Sequence, residues 1–148
     1  MTAIGFSGTQ RGMTDQQRVA VQRLFLDLGA VTVHHGDCEG SDDQADDIAR
    51  SVGCRIHIHP PTDPKKRAFC FQPGDTASPP RPYLERNKGI VDSTACLVAA
   101  PFEVEEQIRS GTWSTVRYAR RRGKTVHLVF PNGTVRVLSG PQSAPTDE

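Results

Sequence analysis

The sequence predicts a three-layer α/β sandwich, in which a mostly parallel sheet is flanked by helices. Three observations predict it. Short apolar runs alternate with segments of helical periodicity, in the order strand, helix, strand, helix, strand, loop, helix, strand, helix, strand. The run Ala95–Ala100 is apolar throughout, the pattern of a central strand covered on both faces. Clusters of glycine, hydroxyl and charged residues follow the strands or open the helices, where open α/β sheets collect their ligands.

Ala3–Ser7 is an apolar run ending in Ser-Gly-Thr and reads as a buried first strand. Thr14 and Gln17 have capping-box spacing. Behind them Val21, Leu24, Phe25 and Leu28 recur on one helical face until Gly29 stops it. Ala30–His34 is the second strand. Ser41 and Gln44 repeat the capping-box spacing, and Ala45, Ile48, Ala49 and Val52 give the second helix its apolar face. Arg55–His59 is the third strand, closed by Pro60 and Pro61. Residues 60–82 hold seven of the eleven prolines, which argues against a regular element there. That segment is an irregular connection or a lid. Tyr83–Asp92 reads as a helix, and Thr112–Arg122 as another whose basic last turn suits the helix dipole. Lys124–Phe130 continues the sheet. After the turn at Pro131-Asn132-Gly133, Thr134–Leu138 adds a short edge strand.

A chain of 148 residues is the size of one domain, expected over 1–138 with a polar tail at 139–148. Lys+Arg is 18 and Asp+Glu is 17, a balance that argues against a protein built to coat nucleic acid. A small phosphorylated ligand needs only two or three local donors and stays open. No run approaches the ~20 apolar residues of a membrane span, and the N-terminus lacks a leader pattern. The four cysteines never form CxxC and read as reduced thiols. The expectation is a cytoplasmic protein, of a bacterium or of a virus acting inside one.

Four polar clusters fall at the same end of the expected sheet. The first is Ser7-Gly8-Thr9-Gln10-Arg11-Gly12, with glycines that let backbone amides approach a phosphate and Arg11 to supply charge. The second runs from His35 to Asp42. Its Gly36, Gly40 and Ser41 belong to a turn at a helix N-terminus, and its Asp37 and Asp42 suit ribose hydroxyls. The third is Arg86-Asn87, the fourth Ser110-Gly111-Thr112-Trp113 at another helix N-terminus. Trp113 or Tyr83 is a candidate to flank a base.

In this order the motifs resemble the SLOG superfamily of Rossmann-like nucleotide-binding proteins. That superfamily includes the LOG phosphoribohydrolases, the DprA proteins and the YspA/YpsA-like branch. The matched elements are Ser7-Gly8-Thr9 with Arg11, His35-Gly36 through Gly40-Ser41-Asp42, Arg86-Asn87, and, after the Ala95–Pro101 strand, Gly111-Thr112; the matched order, strands included, spans residues 4–130. HG-x-x-x-G-x-D and RN look most like the YspA-like branch. The resemblance implies a Rossmann-like fold, a nucleotide-like small-molecule partner and pairing into a homodimer or larger homo-oligomer. It also implies ligand contacts at the residues just named. The LOG enzymes carry a GT-x-x-E motif whose glutamate assists cleavage of an N-glycosidic bond, and here that position is Thr115. A threonine hydroxyl is no general base near neutral pH without an activating neighbour.

The expected function is therefore binding of a nucleotide or ADP-ribose-derived molecule, sensing or sequestering a signal such as a cyclic ADP-ribose, without turnover. No catalytic residue and no cofactor are assigned. The alternative is a LOG-type N-glycosidase using a relocated carboxylate, Glu39, Asp42 or Glu103. His57 and His59 share one strand face, and His34 or His35 with Cys38 could complete a zinc site. No standard zinc spacing is present, so these histidines are assigned to packing or ligand contact, with no metal site. A Cys38–His35 nucleophile pair is weighed and set aside for want of a group to orient the base.

Overall fold

The computed structural model describes residues 2–140. Seven strands form one sheet in the order β4-β3-β2-β1-β5-β6-β7. The strands are β1 (Thr2–Gly8), β2 (Ala30–His35), β3 (Arg55–Ile58), β4 (Thr76–Ala77), β5 (Cys96–Ala100), β6 (Thr125–Val129) and β7 (Val135–Leu138). Every pairing is parallel except β6 with β7. The helices are α1 (Asp15–Asp27), α2 (Ser41–Ser51), α3 (Tyr83–Asp92) and α4 (Gly111–Arg121). This is the expected three-layer sandwich: α1 packs beside α2, and α3 beside α4.

Alternation along the strands feeds two cores. Ile4, Phe6, Val33, Val98 and Ala100 join Val21, Phe25, Ala45 and Ala49 on the α1–α2 face. Leu97, Ala99, Val126 and Leu128 join Trp113, Val116 and Ala119 beneath α4. Gln17 is buried in α1 and fully used. Its side chain closes the capping box with Thr14 and donates to the Pro101 and Val129 carbonyls at 2.9 and 3.0 Å. It thereby ties the ends of β5 and β6 to the start of α1.

Two local expectations change. Ser41 and Gln44 form no capping box, because Gly40 is the N-cap and offers no side chain. The Ser41 hydroxyl donates to the Thr9 carbonyl at 2.5 Å, and the Gln44 side chain accepts from the Met13 amide. Tertiary partners in the first loop have taken both. Residues 60–82 contain the two-residue strand β4 and are pinned to the protein. The Glu39 amide donates to the Lys66 carbonyl, Ala68 donates to the Asp37 carbonyl, and Arg67 pairs with Asp37 at 2.6 Å. Of the polar tail, residues 141–148 lie outside the described residues.

Candidate functional site

The chain builds β1, β2 and β3 outward in one direction, then returns to place β5 on the other side of β1. The loops leaving β1 and β5 therefore part, and a crevice opens between them at the strand carboxyl ends. A cleft of about 600 Å³ lies there, lined by Gly8, Thr9, Gln10 and Arg11 from the first loop and by Glu103, Arg109, Ser110, Gly111 and Thr112 from the second, with Lys66 and Tyr83. The first loop is held by Thr9, whose amide donates to Ala100 while its carbonyl and hydroxyl accept from Gly12 and Arg11. The Arg11 guanidinium lies over the Phe102 ring, 4.3 Å from its centroid. Ser110 caps α4 through the Trp113 amide, leaving the first-turn amides of α4 at the cleft without helical partners. Three cations, Arg11, Lys66 and Arg109, face one carboxylate, Glu103. The arrangement suits an anion.

A second lobe of about 230 Å³ adjoins the first through Gln10, Lys66 and Tyr83, and adds Cys38, Pro61, Asp63, Lys65 and Arg86. Its outer wall is the proline-rich segment. Arg86 is buried and mostly committed: its Nε donates to Asn87 Oδ1 at 2.8 Å and its Nη1 to the Gly36 and His59 carbonyls. It also lies over the Tyr83 ring.

The structure thus brings Gly8, Thr9, Arg11, Gly111 and Thr112 to one cleft and Arg86 to its neighbour. The other expected ligand residues are used by the protein itself. Asp37 is fully buried and accepts from Arg67 and from the Cys70 amide, so it anchors the outer wall. Asp42 accepts from the Cys38 amide, and burial pushes its carboxyl up despite nearby His35 and Arg86. Ser41 is buried on Thr9. Gly36 makes room for the Arg86 guanidinium, and a Cβ at Gly111 would stand 2.6 Å from the Tyr83 hydroxyl. Gly40 has φ +87°, and a Cβ there would overlap the Gln10 carbonyl. These glycines let protein approach protein. Ser7 pairs with Ala99 inside the sheet, and Asn87 accepts from Arg86. Trp113 is in the core beneath α4, not facing a base. Thr115 lies away from the cleft and donates to the Gly111 carbonyl.

Sequence reasoning missed Lys66 and Arg109 as cleft residues. Lys66 lies in the proline-rich excursion and Arg109 in the loop after β5, so neither stands in a motif. Only the fold brings them across from Arg11.

The histidines separate into two groups. His35 Nδ1 accepts from the Asp37 amide at 3.0 Å, so its Nε2 carries the proton and donates to Asp46 at 2.8 Å. Arg50 holds the same carboxylate and Asp75. His35 is therefore turned away from any partnership with Cys38, whose thiol is pushed up by burial and by Asp42. On the opposite face, one ring nitrogen from each of His34, His57 and His59 lies within 4.8 Å of the others. His34 Nδ1 and His59 Nε2 share a hydrogen bond of 2.9 Å. His57 is bonded to the Thr76 and Ser78 hydroxyls at 2.6 and 2.8 Å. Burial, reinforced by the neighbouring imidazoles, lowers His34 to about 4 and His59 to about 3.

No family model matches the chain, and no curated protein matches it in sequence. Solved structures do match in fold. A protein described as the molybdenum cofactor binding protein from the phototrophic bacterium Rippkaea orientalis superposes with a TM-score of 0.67 at 19% identity, over 87% of this chain and 76% of that one. TM1055, a structural genomics target solved by X-ray methods, gives 0.64 at 16% identity, over 85% of this chain and 72% of that one. At such identity the likeness speaks to the fold alone, and with the strand order it shows a Rossmann-like α/β fold.

Proposed function

We propose that the protein binds a nucleotide or ADP-ribose-derived phosphorylated molecule in the cleft between β1 and β5, and holds it without turnover. The observation that carries this reading is the cleft's lining: three cations and a helix N-terminus against one carboxylate, at the switch point of a parallel sheet. That a neighbour in fold is described as a cofactor-binding protein supports a small-molecule ligand. The acids support the absence of turnover. Asp37 and Asp42 are buried in structural bonds, and Thr115 stands where the glutamate of LOG enzymes would be. Cleaving an N-glycosidic bond requires a carboxylate that stabilises a cationic sugar.

Calorimetry with AMP and ADP-ribose tests the binding. Arg109→Ala should weaken it about tenfold, the scale of one charge-assisted contact. Unchanged affinity for every probe would remove the cleft as the site. Glu103 is the acid that remains in the cleft and favours the second reading, a glycosidase. Chromatography after prolonged incubation separates the two: intact ligand supports retention, whereas free base released over many turnovers and abolished by Glu103→Gln installs the enzyme.

A further inference from the structure

We propose that His34, His57 and His59 form a binding site for one late first-row divalent metal ion of the zinc class, distinct from the cleft. His34 and His57 are register partners on adjacent parallel strands, and His59 follows His57 by two residues. All three rings therefore gather on the α3 face of the sheet, their centroids 4.6 to 5.1 Å apart.

What distinguishes this group is its partners. A core histidine held for structure alone finds a carboxylate or backbone groups, as His35 does. Among the described residues, the hydrogen bonds of these three rings run only to one another and to the Thr76 and Ser78 hydroxyls. Three neutral imidazoles without a carboxylate are borderline nitrogen donors, which suit zinc, cobalt or nickel and not magnesium or calcium.

One nitrogen from each ring lies within 4.8 Å of the others, and the three must shift to hold a tetrahedral ion. Imidazole nitrogens at about 2.0–2.1 Å from zinc stand about 3.3 Å apart. The His34–His59 pair, at 2.9 Å, must open by about 0.4 Å to match. The ring that now donates in that pair would carry its proton on its other nitrogen, a tautomer change without net proton loss. The Thr76 and Ser78 hydroxyls now hold both nitrogens of His57; one would give way to the ion and the other would stay to orient the ring as an outer partner. Gly89 on α3 lies beside His59: a Cβ there would stand 3.4 Å from its Nδ1, the nitrogen turned away from His34. Three protein ligands leave a fourth position for water or another small donor.

The test uses the full chain, stripped with chelator and titrated with Co²⁺ and then Zn²⁺. The expected result is one Co²⁺ per chain, with the visible absorption of a four-coordinate ion, displaced by one Zn²⁺. His57→Ala, at the least buried of the three rings, should weaken binding at least tenfold while circular dichroism shows the fold retained. His57→Gln serves if the alanine variant does not fold. Cys70→Ser should leave binding unchanged. Failure to saturate near one equivalent would overturn the site, as would equal affinity in the folded His57 variants. A sulfur-to-cobalt band lost in Cys70→Ser would also overturn it, because the ion would then belong to the His35–Asp46–Cys70 cluster on the other face. None of these readouts involves a nucleotide, so the cleft reading and the metal site stand or fall separately.

Discussion

His34 and His35 are consecutive on β2, so their side chains leave the sheet on opposite faces. His35 meets α2, where Asp46 accepts its hydrogen bond and Arg50 and Asp75 complete a buried charge network. His34 meets the face under α3, where its neighbours are two more imidazoles and, among the described residues, no carboxylate is bonded to them. The same residue type is locked in one tautomer on one side and kept neutral by desolvation on the other. A sheet one strand thick separates two electrostatic environments, and side-chain alternation decides which of them a residue enters.

The largest effect should come from breaking the paired side. Asp46→Ala leaves the His35 donor and part of Arg50 buried without a partner, which should cost about 3–5 kcal/mol in urea unfolding. A loss below 1 kcal/mol would mean that the network contributes little. Acid sharpens the contrast on the unpaired side. His34 and His59 resist protonation when folded and accept it near 6.5 when unfolded. Their contribution is thus fully present above about pH 6.5 and is lost as pH falls toward 4 and then 3. The slope should be about 1.4 kcal/mol per pH unit for each group in metal-free protein. A flat stability profile from pH 6.5 to 4.5 would contradict it. The smallest effect should be that of His34→Gln. The amide can keep a bond to His59, so the metal-free protein should lose about 1 kcal/mol at pH 7, and its acid slope should become shallower.

The regular elements were legible because each rests on local signals. The Thr14–Gln17 capping box, the period of Val21 and Phe25, and the apolar run into Ala100 name their elements without help from distant residues. The cleft was half legible. Glycine and hydroxyl clusters marked Gly8, Thr9, Gly111 and Thr112, but Lys66 and Arg109 carry no motif and arrive through the fold. Ser41 misled for the same reason. Its spacing to Gln44 signals a cap, and a carbonyl 32 residues upstream took its hydroxyl instead. The histidine cluster was visible as His57 and His59 on one strand face, with His34 and His35 both open as a third member. Its third member is fixed by the register of β2 against β3, which spacing rules do not encode.

The position of β1 in the middle of the sheet has a consequence for how the chain is made. Its two partners are unequal in arrival: β2 follows within one helix, whereas β5 begins at Cys96. A ribosome that has released only the first half of the chain has supplied β1, β2 and β3, but nothing to pair with Ile4–Gly8 on their other side. That edge carries Phe6 and a row of open amides and carbonyls, the kind of surface that recruits another strand. Each nascent molecule therefore passes through an interval of exposed stickiness that ends when the strand after α3 docks. Slowing translation between residues 60 and 95 lengthens that interval, and a chaperone that covers a bare strand edge has its window there.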